Sequence, residues 1–317
     1  MEALQSPSPI PSHQGRGTNA PAMAMIKLFY KFITIFSKVL GPWFFMVFSR
    51  FVSTGYFILF PKRVGIGMRF YGALFPERGR LFHLRCTWKQ FHSFTDVFLD
   101  RFLLQLKGDL SYTSEGWELI EDAANNKTGG IIVMSHMGNW DVAAHLLRKK
   151  GLRLLLYMGS REKEQLEKMQ KESLSEQGLK IVAVEQDGGS PFDILEGLNF
   201  LKEGGLVTLT GDRVWSAAQR TVTVDFLGHR VALPEAPHSI ALLSAVPLYI
   251  FFAFRTGRGT YHISLSGPIA MTAASRADRP RAIRESAQRY ADILAAKARE
   301  YPKQWYHFEE FLGPKCG

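Results

Sequence analysis

IIVMSHMGNWDVAAHLLRKK, Ile131 to Lys150, joins a buried-strand pattern to a helix start and sets two ionisable side chains at the junction. Ile131 to Met134 is a short apolar run behind Gly129-Gly130, and Val142 to Leu147 carries the apolar positions of a following helix. Asn139 suits the N-cap, where its side chain accepts from a free backbone N–H, and Asp141 suits the positive end of the helix dipole. His136 and Asp141 are five residues apart, which on a continuous helix would separate them by about 140°. A turn between them can bring them together, and a carboxylate holding an imidazole fixes its tautomer for general-base work. The alternative is a histidine that bonds only backbone, with Asp141 serving the dipole.

Downstream, strands and helices alternate: Leu152 to Met158, Lys163 to Gln177, Lys180 to Val184, Pro191 to Lys202 and Leu206 to Thr210. That order predicts an α/β fold with a mixed, mainly parallel central sheet flanked by helices. Sites in such sheets gather beyond the carboxyl ends of the strands, which puts His136, Ser160-Arg161 and Asp212-Arg213 on one rim. Val222 to Phe226 and His229 to Ala232 form a hairpin around Leu227-Gly228, Glu235 to Ser244 is a helix, and Leu248 to Phe254 and Tyr261 to Ser266 complete the sheet as antiparallel strands. Leu81 to Leu106 and Ala282 to Arg299 have helical periodicity.

The chain of 317 residues carries a formal charge of +10, which calls for an acidic partner such as nucleic acid, anionic lipid or an acidic carrier protein. Apolar aromatic clusters near the N-terminus, and no nucleic-acid motif, favour the membrane surface. Cys86 and Cys316 lack metal or redox spacing, and neither a phosphate loop nor a G-x-S-x-G elbow is present, so metal, cofactor, NTPase and serine-hydrolase readings find no support. Residues 1–24 read as a disordered tail, 25–62 as a hydrophobic membrane-anchoring helical segment and 63–317 as one catalytic domain. Lys31, Lys38 and Arg50 interrupt the apolar segment, so an interfacial hairpin competes with a single span.

The set SHMGNWD, then GDR (Gly211 to Arg213), VDFLG (Val224 to Gly228), AVPLYIFFAF (Ala245 to Phe254) and PKQWYHF (Pro302 to Phe308) resembles, in this order, the late lipid A acyltransferases, a branch of the glycerolipid acyltransferases. The resemblance implies transfer of a fatty acyl group from acyl carrier protein, or coenzyme A, to a hydroxyl of an anionic lipid, at the cytoplasmic face of a bacterial inner membrane. In that reading His136 is the general base and Asp141 orients it. Backbone N–H groups at Gly138 and Asn139 are candidate oxyanion donors. Arg161 and Arg213 are candidate phosphate ligands, and Asp212 is a substrate contact or a loop-structuring residue. A surface ion pair is the alternative for each arginine. A lysophospholipid acceptor is a near rival; a lipid esterase and a non-catalytic membrane-binding protein are the distant ones.

Overall fold

The computed structural model describes residues 42–107, 110–159, 180–184, 191–216 and 219–316. Residues 1–41, Arg161 and the expected helix over 163–177 lie outside them. Three helices open the described chain: α1 (Pro42–Leu59), α2 (Pro61–Leu74) and α3 (Arg80–Lys107). There follow β1 (Ser111–Glu115), α4 (Trp117–Asn125), β2 (Gly130–Gly138), α5 (Trp140–Lys149), β3 (Leu154–Gly159), β4 (Lys180–Val184), α6 (Pro191–Lys202) and β5 (Leu206–Thr210). The chain closes with hairpin β6 (Thr221–Phe226) and β7 (His229–Pro234), α7 (Ala236–Ser244), β8 (Leu248–Gly257), β9 (Thr260–Ile269) and α8 (Arg279–Glu300).

Seven strands form one sheet in the order β1-β9-β8-β2-β5-β3-β4, parallel throughout except for β8 against β9. Its central strand β2 is buried on both faces, which explains an unbroken apolar run in place of alternation. Ile131 and Val133 face one layer with Leu155, Val207, Ile250 and α8. Ile132 and Met134 face the other, with α4 and the apolar stripe of α5. The mixed, mainly parallel α/β class therefore stands. Strand β1 and helices α2 and α4 are additions to the expected elements, since SYTSE is a mostly exposed edge strand without apolar alternation.

Two departures shape the site. Strand β2 runs on to Gly138, beyond Met134, and its register against β8 shifts: Met134 opposes Phe251 and Gly138 opposes Ala253. The excess residues on β2 form a bulge, and bulges re-aim side chains; His136 sits in it. The second is PKQWYHF, which lies antiparallel along the bulge through an isolated bridge. Met137 bridges Trp305, Gly138 N–H donates to Gln304 O at 2.7 Å, and Tyr306 N–H donates to His136 O at 2.7 Å.

At the other end α1 and α2 pack on α3. Among the described residues no single helix is long and apolar enough to cross a membrane. Helices α1 and α2 together would pass on length and composition but are bent by 91° across Phe60.

Candidate active site

The carboxyl ends of β2 and β5 bring the reactive groups together. Parallel pairing sets Met134 opposite Thr210, and Gly211 N–H donates to Met134 O at 2.8 Å, so the residue after Gly211 emerges beside the β2 bulge. Position 211 has no room for a side chain: a Cβ there would stand 2.4 Å from Val133 Cγ1 and 2.8 Å from the Tyr290 ring. Asp212 is consequently buried, and its carboxylate is filled from one side. Oδ1 pairs with His136 Nδ1 at 2.8 Å; Oδ2 accepts the backbone N–H of His136 and the Trp305 indole N–H, each at 2.8 Å.

Burial works against the charge on Asp212, but the His136 imidazole, the nearby His307 and the Trp305 donor outweigh it and hold the carboxyl well below the usual carboxylate range. An ionised carboxylate only accepts, so Nδ1 carries the proton of neutral His136 and Nε2 keeps its lone pair. His136 remains partly exposed while Asp212 is sealed. The arrangement presents one basic nitrogen to a substrate and hides the group that holds it.

Asp141 was expected in that role, and the structure gives it a different partner. It lies in the first turn of α5, where Arg101 of α3 takes its carboxylate. Burial raises the Asp141 pKa and the Arg101 charge pulls it back. The physical reason is the bulge: extending β2 to Gly138 leaves no free turn to swing the α5 carboxylate toward His136, while the end of β5 already lies alongside. Asp212, expected to meet substrate, faces inward instead.

The expected oxyanion donors are also committed. Gly138 N–H goes to Gln304 O and Asn139 N–H goes to Ala253 O at 2.9 Å. Gly138 itself adopts φ +78° with a Cβ position 2.1 Å from Ala253 O, so only glycine fits the bulge. Asn139 does act as the N-cap of α5, with Oδ1 3.4 Å from Val142 N, but its amide N–H donates to Tyr261 Oη at 2.9 Å inside the core. Neither residue points to a substrate.

Around the His136 ring stand Trp215, with centroids 5.9 Å apart, and His307 at 6.4 Å. His307 is buried, which pushes its pKa down to about 4 despite Asp212 nearby, so the ring is neutral at pH 7. Its Nδ1 meets Glu309 O at 3.3 Å. Arg213 lies over Trp215 at 5.2 Å, and its Nε is buried with no hydrogen-bond partner among the described residues. The alternative ion pair of Arg213 with Asp212 is not formed. No group of three metal-ligating side chains occurs among the described residues.

A family model for bacterial lipid A biosynthesis acyltransferases matches residues 101–312, from the end of α3 through the segment carrying Trp305 and His307. The chain belongs to that family. No curated protein matches the chain. In this acyltransferase the signature histidine and the later GDR aspartate meet as one polar unit, locked by the C-terminal tryptophan. The sequence set His136 and Asp212 on one rim but paired the histidine with its neighbour in the chain, and Trp305 entered only as part of PKQWYHF. The rim rule held the signal for Asp212; nothing in the sequence marks Arg101 as the partner of Asp141.

Proposed function

We propose that this acyltransferase moves a fatty acyl group from a thioester, carried by acyl carrier protein or coenzyme A, to a hydroxyl of an anionic glycolipid of the lipid A precursor type. His136 Nε2 takes the proton as the hydroxyl oxygen attacks the thioester carbonyl carbon. The tetrahedral oxyanion then collapses, the C–S bond breaks, and the departing thiolate recovers the proton from the imidazolium. Atoms balance without a covalent enzyme intermediate. Asp212 keeps Nδ1 protonated and stabilises the imidazolium; Trp305 holds Asp212. The observation that carries this reading is the 2.8 Å contact between His136 Nδ1 and a buried, ionised Asp212.

Arg213 serves an anionic oxygen of the substrate. A buried guanidinium N–H without an acceptor is costly, and a phosphate would satisfy it in forked geometry. Arg161, an expected second ligand, is kept as a proposal only on its place after β3. An esterase with a serine nucleophile is disfavoured because Ser135 is buried and its Oγ lies 3.3 Å from Met137 N as an acceptor.

Membrane attachment is supported by α1 and the start of α3. Phe51, Ile58, Leu59 and Leu81 are each at least two-thirds exposed, beside Lys62, Arg63 and Arg80. Apolar side chains entering the acyl region with basic residues at the headgroups is an interfacial arrangement. The bend at Phe60 favours a hairpin lying in the interface over a straight span.

Purified protein in detergent, given radiolabelled acyl carrier protein or acyl-CoA with a panel of lipid acceptors, tests the reaction. Product on a phosphorylated glycolipid, lost in His136→Ala, is expected. Acylation confined to lysophospholipid would reject the acceptor, and thioester hydrolysis without transfer would reject the reaction.

A further inference from the structure

A second cleft, of about 480 Å³, opens between the start of β6, helix α7 and the start of α8. Arg220, Arg276, Arg279 and Arg284 line it against a single acidic residue, Glu235. Arg220 pairs with Glu235 at 3.2 Å. Arg276, Arg279 and Arg284 have no carboxylate partner among the described residues, whereas the neighbouring Arg281, outside the lining, is paired with Asp278 at 3.0 Å. Three unpaired guanidiniums on one wall repel one another unless an anion joins them. The positive end of the 22-residue helix α8 adds to the field. Leu242 and the well-exposed Leu243 give the facing helix α7 an apolar lining, and Ile283 of α8 lies between the arginines.

We infer that this cleft binds the phosphate of an anionic amphiphile, at a site separate from the catalytic one. Guanidinium forks match tetrahedral phosphate oxygens, and the leucine wall matches the hydrocarbon or glycerol portion that follows them. The volume is that of a small-molecule site, so a bare anion would leave the leucine side unfilled. A carboxylate-studded protein face would find a recess in place of a flat basic surface. Both regions lie along α8, which passes Gly211 at Tyr290: Arg284 is six residues, about 9 Å, and Arg279 eleven residues, about 16 Å, along the helix from that point.

The test is calorimetric titration of the full chain in detergent with dihexanoyl phosphatidic acid, dihexanoyl phosphatidylcholine, inorganic phosphate and acyl carrier protein. Phosphatidic acid should bind with phosphate competing weakly, and phosphatidylcholine at least about tenfold more weakly, since its choline cancels the charge. Arg279→Gln with Arg284→Gln should weaken phosphatidic acid by about 100-fold, on the order of tenfold per lost charged contact. Leu243→Glu, at an exposed position, should weaken it as well, and in Arg213→Ala the binding that depends on Arg279 and Arg284 should persist. The inference is overturned if the arginine pair changes nothing, if Arg213→Ala alone abolishes binding, or if inorganic phosphate binds as tightly as the lipid. It is equally overturned if only acyl carrier protein shows binding that depends on these arginines. None of these readouts depends on acyl transfer, so the outcome is independent of the proposed reaction.

Discussion

Replacing Asp212 by asparagine should stop catalysis without unfolding the protein, and the reason is a count of donors. Three N–H groups converge on this carboxylate: the His136 ring at Oδ1, and the His136 backbone and Trp305 indole at Oδ2. An amide has one oxygen for them and one NH2 that can only donate. Two donors at the Oδ2 position outvote one at Oδ1, so the amide oxygen turns toward Trp305 and the NH2 toward His136 Nδ1. The ring must then expose a lone pair at Nδ1 and carry its proton on Nε2, where the acceptor hydroxyl needs a base. A base held in the wrong tautomer costs about 10³-fold to 10⁴-fold in turnover, about 4 to 5.5 kcal/mol of barrier. Asp141→Asn should behave differently, because it weakens the pairing with Arg101: a stability loss of about 1–3 kcal/mol with most of the turnover kept. Initial rates of transfer under saturating donor, with melting curves and ¹⁵N shifts of labelled histidine to read the tautomer, separate the two. An Asp212→Asn enzyme of near wild-type rate, beside an inactive but folded Asp141→Asn, would refute the pairing argued here.

Trp305→Phe removes one donor from Asp212 while keeping the ring's packing on Phe70 and Phe226, so turnover should fall by about tenfold with little change in melting temperature; a larger loss accompanied by unfolding would mark the indole as structural. Arg213→Ala should raise KM for a phosphorylated acceptor more than it lowers kcat, and Arg213→Lys should restore only part, since a point charge replaces a fork. His307 and His238 are buried with pKa values lowered to about 4 from an ordinary 6.5. The unfolded chain therefore binds their protons first, and the stability they contribute is complete above pH 6.5 and lost as pH falls toward 4. At pH 5 the loss is about 2 kcal/mol for each, and His238→Gln should flatten the melting temperature between pH 7 and 5. Membranes washed in concentrated salt should retain the protein, because apolar insertion survives screening; full release would place α1 in an interface with protein.

Much of the fold was legible because its strongest signals are local. The run Ile131 to Met134 is apolar at every position since β2 lies between two layers, and the units through Leu206 to Thr210 alternate as a parallel sheet requires. Edge strand β1 escaped because Ser111 to Glu115 has no buried face to impose a period. At the site, the identities were legible and the pairing was not. His136 and Asp141 are neighbours in sequence, and a turn between them is geometrically sound. What decides against it is the register shift of β2 against β8, which depends on Gly138 meeting the Ala253 carbonyl and on Gln304 to Tyr306 arriving from the other end of the chain. The first contact leaves only the glycine at position 138 as its trace between His136 and Asp141, and the second leaves none there.

Asp141, not paired with His136, has its partner in helix α3. Arg101 of that helix takes Asp141, and Asp100 beside it receives Arg255 at 2.6 Å and the Tyr261 hydroxyl at 2.7 Å; that hydroxyl in turn accepts from Asn139. One turn earlier Asp96 joins Arg50 of α1, at 2.7 Å, to Arg255 of β8. Further back, Gln90 donates to the Trp305 carbonyl and Ser93 Oγ to that of Lys303 at 2.5 Å. Thus α3 grips the start of α5, the end of β8 and the C-terminal segment whose Trp305 bonds Asp212. Buried charges of this kind add little net stability but are costly to separate, so they fix register more than they strengthen the fold. The same helix carries α1 and α2. The surface proposed to meet the bilayer and the base proposed to act on lipid are therefore held in one frame, and the Arg101–Asp141 pair is one of the contacts that hold α5 to it.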